Sequence, residues 1–255
     1  MRCGWGSGGK PAMFERPHHR EIAKVLDALN GPLLRSHRCL FGGGTAIVLR
    51  FGEYRESVDI DFLVSDVACY RGLRQLLTGT AGVAAILTAG HEPITQLREI
   101  RADQYGIRTM LSVGGLPVKF EIILEARIDL DTPADDDEVC GIATLTTVDL
   151  AASKLLANSD RWGDDGVFNR DVIDLAMMQP RLSLLRQAAV KAEGAYGQAI
   201  LVDLEKAIHR LQHRQGWLER CMQAMSMNDS KAVIWQRVRA LRRILPKDGE
   251  GRPAP

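Results

Sequence analysis

Asp59 and Asp61 flank Ile60 in the run Val58-Asp59-Ile60-Asp61-Phe62-Leu63-Val64, whose β-branched content and alternation predict a strand. Side chains alternate along a strand, so both carboxylates face one way while Val58, Ile60 and Phe62 face the other. Their Cα atoms would stand ~6.6 Å apart, close enough to converge on one cation or to bridge two. Like charges at that spacing repel unless a cation or a basic neighbour compensates them. Mg²⁺ suits such a pair, because it takes oxygen ligands at ~2.1 Å and completes its shell with water and substrate phosphates. Mn²⁺ is the natural substitute. The plainer alternative is the solvated face of an edge strand.

A third carboxylate lies on another expected strand, Val118-Lys119-Phe120-Glu121-Ile122-Ile123, where Lys119 and Glu121 share a face. If that strand neighbours the aspartate strand, Glu121 completes a three-carboxylate metal site with Asp59 and Asp61. Glu125 is a rival beyond the apolar core of the strand. Two-metal chemistry needs carboxylates that hold one ion near an attacking hydroxyl and another near a leaving pyrophosphate. Upstream, Gly42-Gly43-Gly44-Thr45 offers a strand that turns sharply into a helix with no side chain in the way. Phosphates can there approach backbone N–H groups at the positive helix end, with the Thr45 hydroxyl as a further donor. Arg55 and Ser57, just ahead of the aspartate strand, can hold phosphate or the first carboxylate. Lys154, on an otherwise apolar helix face (Leu150, Ala151, Leu155), is a candidate cation for triphosphate oxygens, or a snorkelling surface lysine. Arg170 and Asp174 have the i,i+4 spacing of a surface pair, and Asp171 points elsewhere, to position Lys154 or contact nucleotide.

These residues need elements to hold them. Helices are expected from Pro17 to about Asn30, stopped by Asn30-Gly31-Pro32, and over residues 46–51 and 67–77. Strands are expected at 39–41, 83–87, 106–113 and 116–123, with Gly114-Gly115 as the hairpin turn. From Thr146 onward the periodicity is helical: Thr147 caps a helix through Leu156, and Asp164 or Asp165 caps one running to Met178. Longer amphipathic helices follow at 182–195, 199–214 and 229–244. The expectation is an α+β chain. A flexible start (1–12) leads into a mixed sheet with flanking helices (13–145), then an all-helical region (146–246) and a flexible end (247–255).

At 255 residues, with 45% hydrophobic and 25% charged, the chain has ordinary globular proportions, which excludes wholesale disorder and rod-like architectures. A net charge of +1 conceals two opposed parts: residues 1–180 hold 19 basic and 25 acidic residues, and residues 181–255 hold 14 and 7. The basic region favours a polyanionic partner. No apolar run is long enough to span a membrane, no secretory signal is evident, and five scattered cysteines without CxxC suit free thiols. A cytoplasmic protein is expected.

Several tempting patterns fail. Gly4 to Pro11 nearly matches a phosphate-binding loop, but Pro11 replaces the hydroxyl that would ligate magnesium, and no strand precedes it. Gly42-Gly43-Gly44 lacks dinucleotide-fingerprint spacing. The acidic run 135–138 reads as a solvated loop, His209 and His213 as a basic helix face without a third ligand, His18-His19 as surface, and Trp162, Trp217 and Trp235 as packing.

Together, Gly42-Gly43-Gly44-Thr45-Ala46 and Arg55-Glu56-Ser57-Val58-Asp59-Ile60-Asp61-Phe62 resemble the glycine turn and DxD of the DNA polymerase β-like nucleotidyltransferase superfamily. The form GGTA followed by RxSxDIDF is similar to the AbiEii/AbiGii-type nucleotidyltransferase toxins of bacterial type IV toxin–antitoxin systems. Leu150-Ala151-Ala152-Ser153-Lys154-Leu155-Leu156-Ala157 resembles that family's helical lysine motif, and Asn169-Arg170-Asp171-Val172-Ile173-Asp174-Leu175 its RDxxDL motif. Glu121 departs from the aspartate common in the wider superfamily, which would shift a second metal. The resemblance implies a Mg²⁺-dependent enzyme with Asp59, Asp61 and Glu121 on metal. Gly43, Gly44, Thr45, Arg55, Ser57 and Lys154 would bind a nucleoside triphosphate, with Lys154 and Asp171 in the catalytic set. It further implies an RNA acceptor, plausibly the tRNA 3′ end, and a cognate antitoxin protein. The alternatives are transfer to a protein or an antibiotic-type small molecule, and a non-catalytic nucleotide-binding module.

Overall fold

The aspartate run forms β2 of a six-stranded mixed sheet in the order β1-β2-β6-β5-β3, with β4 also on β5. The strands are β1 (Leu40–Gly42), β2 (Asp59–Val64), β3 (Thr95–Gln96), β4 (Arg101–Ala102), β5 (Gly106–Val113) and β6 (Leu116–Leu124). This computed structural model describes residues 14–90 and 93–246, so the segments expected to be flexible, 1–12 and 247–255, lie outside the described residues. The chain divides into two compact units, 1–150 and 151–255.

In the first unit, β1 and β2 are antiparallel, β2 and β6 parallel, and β6 and β5 an antiparallel hairpin. The hairpin turns at Gly114-Gly115, both at positive φ, as a two-residue loop between twisted strands demands. One side of the three neighbouring strands is apolar. Phe41, Phe62 and Phe120 are buried there in a tilted row, with ring centroids 5.6 Å apart at each step. Their alternation partners, Asp59, Asp61 and Glu121, therefore face the opposite side.

Helix α1 (Pro17–Ala28) starts on a proline and buries Ile22, Val25 and Leu26 in the stripe its spacing dictates, against β5 and β6. Asn30 does stop it, and its side chain then accepts the Leu33 N–H to start a short α2 (Gly31–Ser36) that was not expected. Helix α3 (Gly43–Arg50) begins within the glycine turn, earlier than expected, and packs against β1 and β2. Arg50 at its end donates to Asp137 (2.7 Å) and to the Leu145 carbonyl, so Asp137 in the acidic run is an ion-pair partner and not a solvated charge. Helix α4 (Val67–Thr78) is capped by Asp66. The expected strand at 83–87 is a 3₁₀ turn over Gly82–Ile86; Val83 and Ile86, three residues apart, fall on one side of a helix with three residues per turn and bury inward together. A small hairpin, β7 (Glu138–Val139) and β8 (Ile142–Ala143), closes the unit.

Helix α5 (Thr147–Arg161) opens on Thr146 rather than Thr147, because the Thr146 hydroxyl accepts the Asp149 N–H. The second unit is helical, as expected. Asp164 caps only a 3₁₀ turn over Asp165–Val167. Phe168 and Asn169 then adopt left-handed backbone, which separates that turn from α6 (Arg170–Met177). Helices α7 (Leu182–Tyr196), α8 (Ala199–His213), α9 (Trp217–Ala224) and α10 (Lys231–Ala240) follow, and α10 runs into a 3₁₀ turn over Leu241–Ile244. α6 packs on α10 and α7 on α8. Trp217 supports the packing reading: it is 2% exposed, stacks on Phe168, and donates its indole N–H to Asn169.

Among the described residues, Cys39, Cys69, Cys140 and Cys221 take part in no disulfide. No described helix is long and apolar enough to cross a membrane.

Candidate active site

The parallel register sets Asp59 opposite Lys119 and Asp61 opposite Glu121, so three carboxylates and one ammonium share a face. The antiparallel register adds Arg108 of β5 opposite Glu121. Glu121 accepts from Lys119 Nζ at 2.6 Å and pairs with Arg108 Nε at 3.1 Å. Burial disfavours the charge on Lys119, yet its hydrogen bond to Glu121 and the charges of Glu121, Asp59 and Asp61 outweigh that and raise its pKa. Glu125, the rival acid, is buried and held by Arg127 at 2.7 Å.

The glycine turn bears directly on this face. Gly43 sits at φ +67, and a Cβ built there would lie 2.5 Å from Asp61 Oδ2 and 2.9 Å from Asp61 Cβ. Only glycine meets both demands, the left-handed backbone and the contact. Gly44 follows in the first turn of α3, whose leading N–H groups lack helical acceptors.

Three residues expected to meet phosphate also make contacts within the protein. Thr45 is 1% exposed, and its hydroxyl donates to the Asp59 carbonyl and lies 2.7 Å from Ser57 Oγ. Ser57 also donates its backbone N–H to His19 Nε2 at 3.2 Å. Arg55 is buried and donates to the Glu56 carbonyl. Their engagement ties down the start of β2, and so the direction of Asp59.

His19 is the residue sequence reasoning misplaced. It is fully buried, with Nδ1 2.6 Å from Glu53 Oε1 and Nε2 on the Ser57 N–H. Accepting at Nε2 requires a neutral ring with its proton on Nδ1, donated to Glu53. Burial lowers its pKa against the opposing pull of Glu53. Glu53 in turn accepts the backbone N–H of Glu15 and Arg16, which ties the start of α1 to the segment before β2.

In the second unit, Lys154 Nζ lies 3.0 Å from Asp171 Oδ1 and 2.8 Å from Asp174 Oδ2, and all three are buried. Arg161 donates twice to Asp171, at 2.7 and 3.0 Å. Burial alone would raise the Asp171 pKa, but the Lys154 charge and the Arg161 hydrogen bond hold it below the usual range. Asp171 does orient Lys154. Asp174, however, faces the same lysine instead of pairing with exposed Arg170 on the surface.

The donor set fits a hard divalent cation in part. Asp59 and Asp61 are oxygen donors on one half-exposed strand face, while Glu121 is already committed to two cations. No group of three His, Cys, Asp or Glu among the described residues forms a metal cage. Such a pair suits an ion whose remaining ligands come from water and substrate phosphates.

This sheet, with glycine turn and paired aspartates, is a nucleotidyltransferase fold. The chain aligns with JHP933 from Helicobacter pylori at 14% identity and TM-score 0.50, over 91% of this chain and 94% of that one. An H. pylori protein assigned as a nucleotidyltransferase aligns at 15% identity and TM-score 0.48, over 93% and 97%. No curated protein matches the sequence. The model of the family described as "Nucleotidyl transferase AbiEii toxin, Type IV TA system" matches residues 25–243, and the chain belongs to that family. It is a nucleotidyltransferase.

Proposed function

We propose that the protein moves a nucleotidyl group from a nucleoside triphosphate to an RNA acceptor, the 3′ end of tRNA. It would act in the cytoplasm as the toxin of a type IV system held in check by an antitoxin protein. The observation that carries the reading is the β2–β6 register, which aligns Asp61 with Glu121 while Gly43 presses on Asp61. Asp59 and Asp61 would hold Mg²⁺, with Glu121 as a third ligand when Lys119 and Arg108 release it. Bound there, the ion would neutralise triphosphate charge and favour the ionised form of the attacking hydroxyl.

The N–H groups of Gly43 and Gly44 at the start of α3 cradle phosphate oxygens. Lys119 stands on the same face as a cation for the departing pyrophosphate. Thr45, Ser57 and Arg55 act from behind, by holding the segment that aims Asp59. The acceptor hydroxyl gives its proton to solvent as its oxygen bonds to the α-phosphorus, the bond to the bridging oxygen breaks, and pyrophosphate leaves with that electron pair. Positioning and charge compensation do most of the work. Lys154, oriented by Asp171, is proposed as a further triphosphate contact.

The test incubates purified protein with Mg²⁺, each α-labelled nucleoside triphosphate in turn, and total bacterial tRNA or lysate. Label on an RNA band that is lost in Asp59→Asn supports the reading. Label on a protein or a small molecule replaces the acceptor.

A further inference from the structure

The 181–255 region is basic, but its charges are not equally available. Residues of α8 and the segment after it form the first of two candidate faces. Lys206, Arg210 and Arg214 line an open groove of about 680 Å³ together with Trp162. These cations are already matched. Lys206 lies 3.0 Å from Asp203, Arg214 grips both Asp165 oxygens at 2.8 Å, and Arg210 also binds Asp165. Arg210 further donates to the Gly163 carbonyl, and the Arg210 and Arg214 guanidiniums sit 5.0 and 4.1 Å from the Trp217 ring centre. A phosphate arriving here must displace a carboxylate.

The second face is α10 with the turn that follows it. Arg237, Arg239, Arg242 and Arg243 fall within one short stretch, and their partners are almost all neutral. Arg242 donates to Gln212 (3.0 Å), Arg243 to the Ala240 and Pro180 carbonyls, and Arg237 to the Met177 sulfur. Among the described residues one carboxylate approaches them: Asp229, 3.9 Å from Arg237. Arg237 and Arg243 also line a cleft of about 420 Å³ with Gln179 and Gln236, a wall rich in donors and free of acids. Guanidinium forks match phosphate oxygens two at a time.

We propose that these arginines of α10 and its following turn are the groups on the second unit that take the phosphodiester backbone of the acceptor RNA. The inference rests on the RNA reading above. An acidic protein segment would be drawn by the same charge, but such partners anchor through buried apolar side chains. The exposed large hydrophobics of this unit, Val190, Tyr196 and Val202, lie on α7 and α8, and α10 carries none.

Binding of fluorescein-labelled bulk bacterial tRNA, measured from about 50 to 300 mM salt, tests it, because each phosphate contact on duplex adds about 0.9 to the slope of log affinity against log salt. The full chain carrying Arg237→Gln, Arg239→Gln, Arg242→Gln and Arg243→Gln is compared with one carrying Lys206→Gln and Arg214→Gln. The α10 set should weaken binding at least about tenfold and flatten the slope by about three to four. The α8 set should change affinity less than about threefold. Far-ultraviolet circular dichroism and Mg²⁺–triphosphate binding should be unchanged in both. An unchanged slope in the α10 set, or a loss carried by the α8 set, overturns the inference while the RNA reading stands. Equal displacement of the tRNA by poly-glutamate overturns it in favour of an acidic protein partner. A wild-type chain that binds triphosphate but no tRNA removes the RNA reading, and this inference with it.

Discussion

Gly43 lies so close to Asp61 that a Cβ at residue 43 would fall 2.5 Å from the Asp61 Oδ2 atom, with the backbone at φ +67. The glycine turn thus shapes the position of a proposed metal ligand as well as leaving room for phosphate. Gly43→Ala must move either the α3 start or the Asp61 carboxylate. Misplacement by about 1 Å costs on the order of 10²-fold in rate, so nucleotidyl transfer should drop by about that factor. The backbone penalty alone is about 1–2 kcal/mol of stability. Gly115→Ala, at φ +86 with nothing within 4 Å of the added Cβ, carries strain without displacing any site group. It should melt lower and transfer normally, which separates the two effects in thermal melts and initial rates.

His19 makes the same region sensitive to acid. Its pKa is lowered in the folded chain by burial, so the unfolded chain binds the proton first. Stability is therefore full above the unfolded value of about 6.5 and falls as pH drops from there toward the folded pKa. Urea titrations between pH 5 and 7.5 should show this decline, and His19→Gln should lose most of it. His19→Ala leaves the Glu53 carboxylate and the Ser57 N–H without their partner, at about 2–4 kcal/mol. A variant with unchanged stability and the same pH slope would remove His19 from this role.

Lys154, Asp171 and Asp174 form a buried cluster that is close to neutral once Arg161 is included. Lys154→Met removes the cation that Asp171 and Asp174 share and leaves Arg161 on Asp171, and the expected cost is about 3–5 kcal/mol. Replacing Lys154, Asp171 and Asp174 together with Met, Leu and Leu should recover most of it. The refolded triple variant then isolates any role with substrate. A raised KM for triphosphate with recovered stability supports Lys154 as a phosphate contact, whereas an unaltered KM makes it structural.

Glu121 differs from its neighbours because Lys119 and Arg108 already hold it. Glu121→Gln should lower transfer by about tenfold, clearly less than the 10²-fold or more expected when a charged group central to transition-state stabilisation is removed at Asp59 or Asp61. Equal losses in all three variants would give Glu121 full ligand status.

Much of this site was legible because it depends on local alternation. The period of two fixed which side Asp59, Asp61 and Glu121 share, and Gly114-Gly115 pins the hairpin so that Val113 opposes Leu116. Counting back along that register puts Arg108 beside Glu121, a pairing open to sequence reasoning but not drawn from it. His19 gave no such signal, since its partners Glu53 and Ser57 are distant in sequence and meet it only when α1 docks. Thr45 and Ser57 read as phosphate donors by type, yet a hydroxyl near a chain reversal serves backbone carbonyls equally well. Asp174 followed the i,i+4 surface rule on paper, but a buried ammonium was a stronger partner than an exposed guanidinium. The break at Phe168 and Asn169 was hidden because Asn169 is held by Trp162 and Trp217, contacts no local pattern encodes.

The central claim is that Asp59 and Asp61 hold a divalent ion jointly with the triphosphate. Mn²⁺ binding followed by electron paramagnetic resonance, with ATP, GTP, CTP and UTP added in turn, addresses it without relying on turnover. The wild-type chain should take up Mn²⁺ tightly with at least one triphosphate, and Asp59→Asn or Asp61→Asn should abolish that uptake while the melting temperature holds or rises. Undiminished triphosphate-dependent Mn²⁺ uptake in both variants would contradict the account.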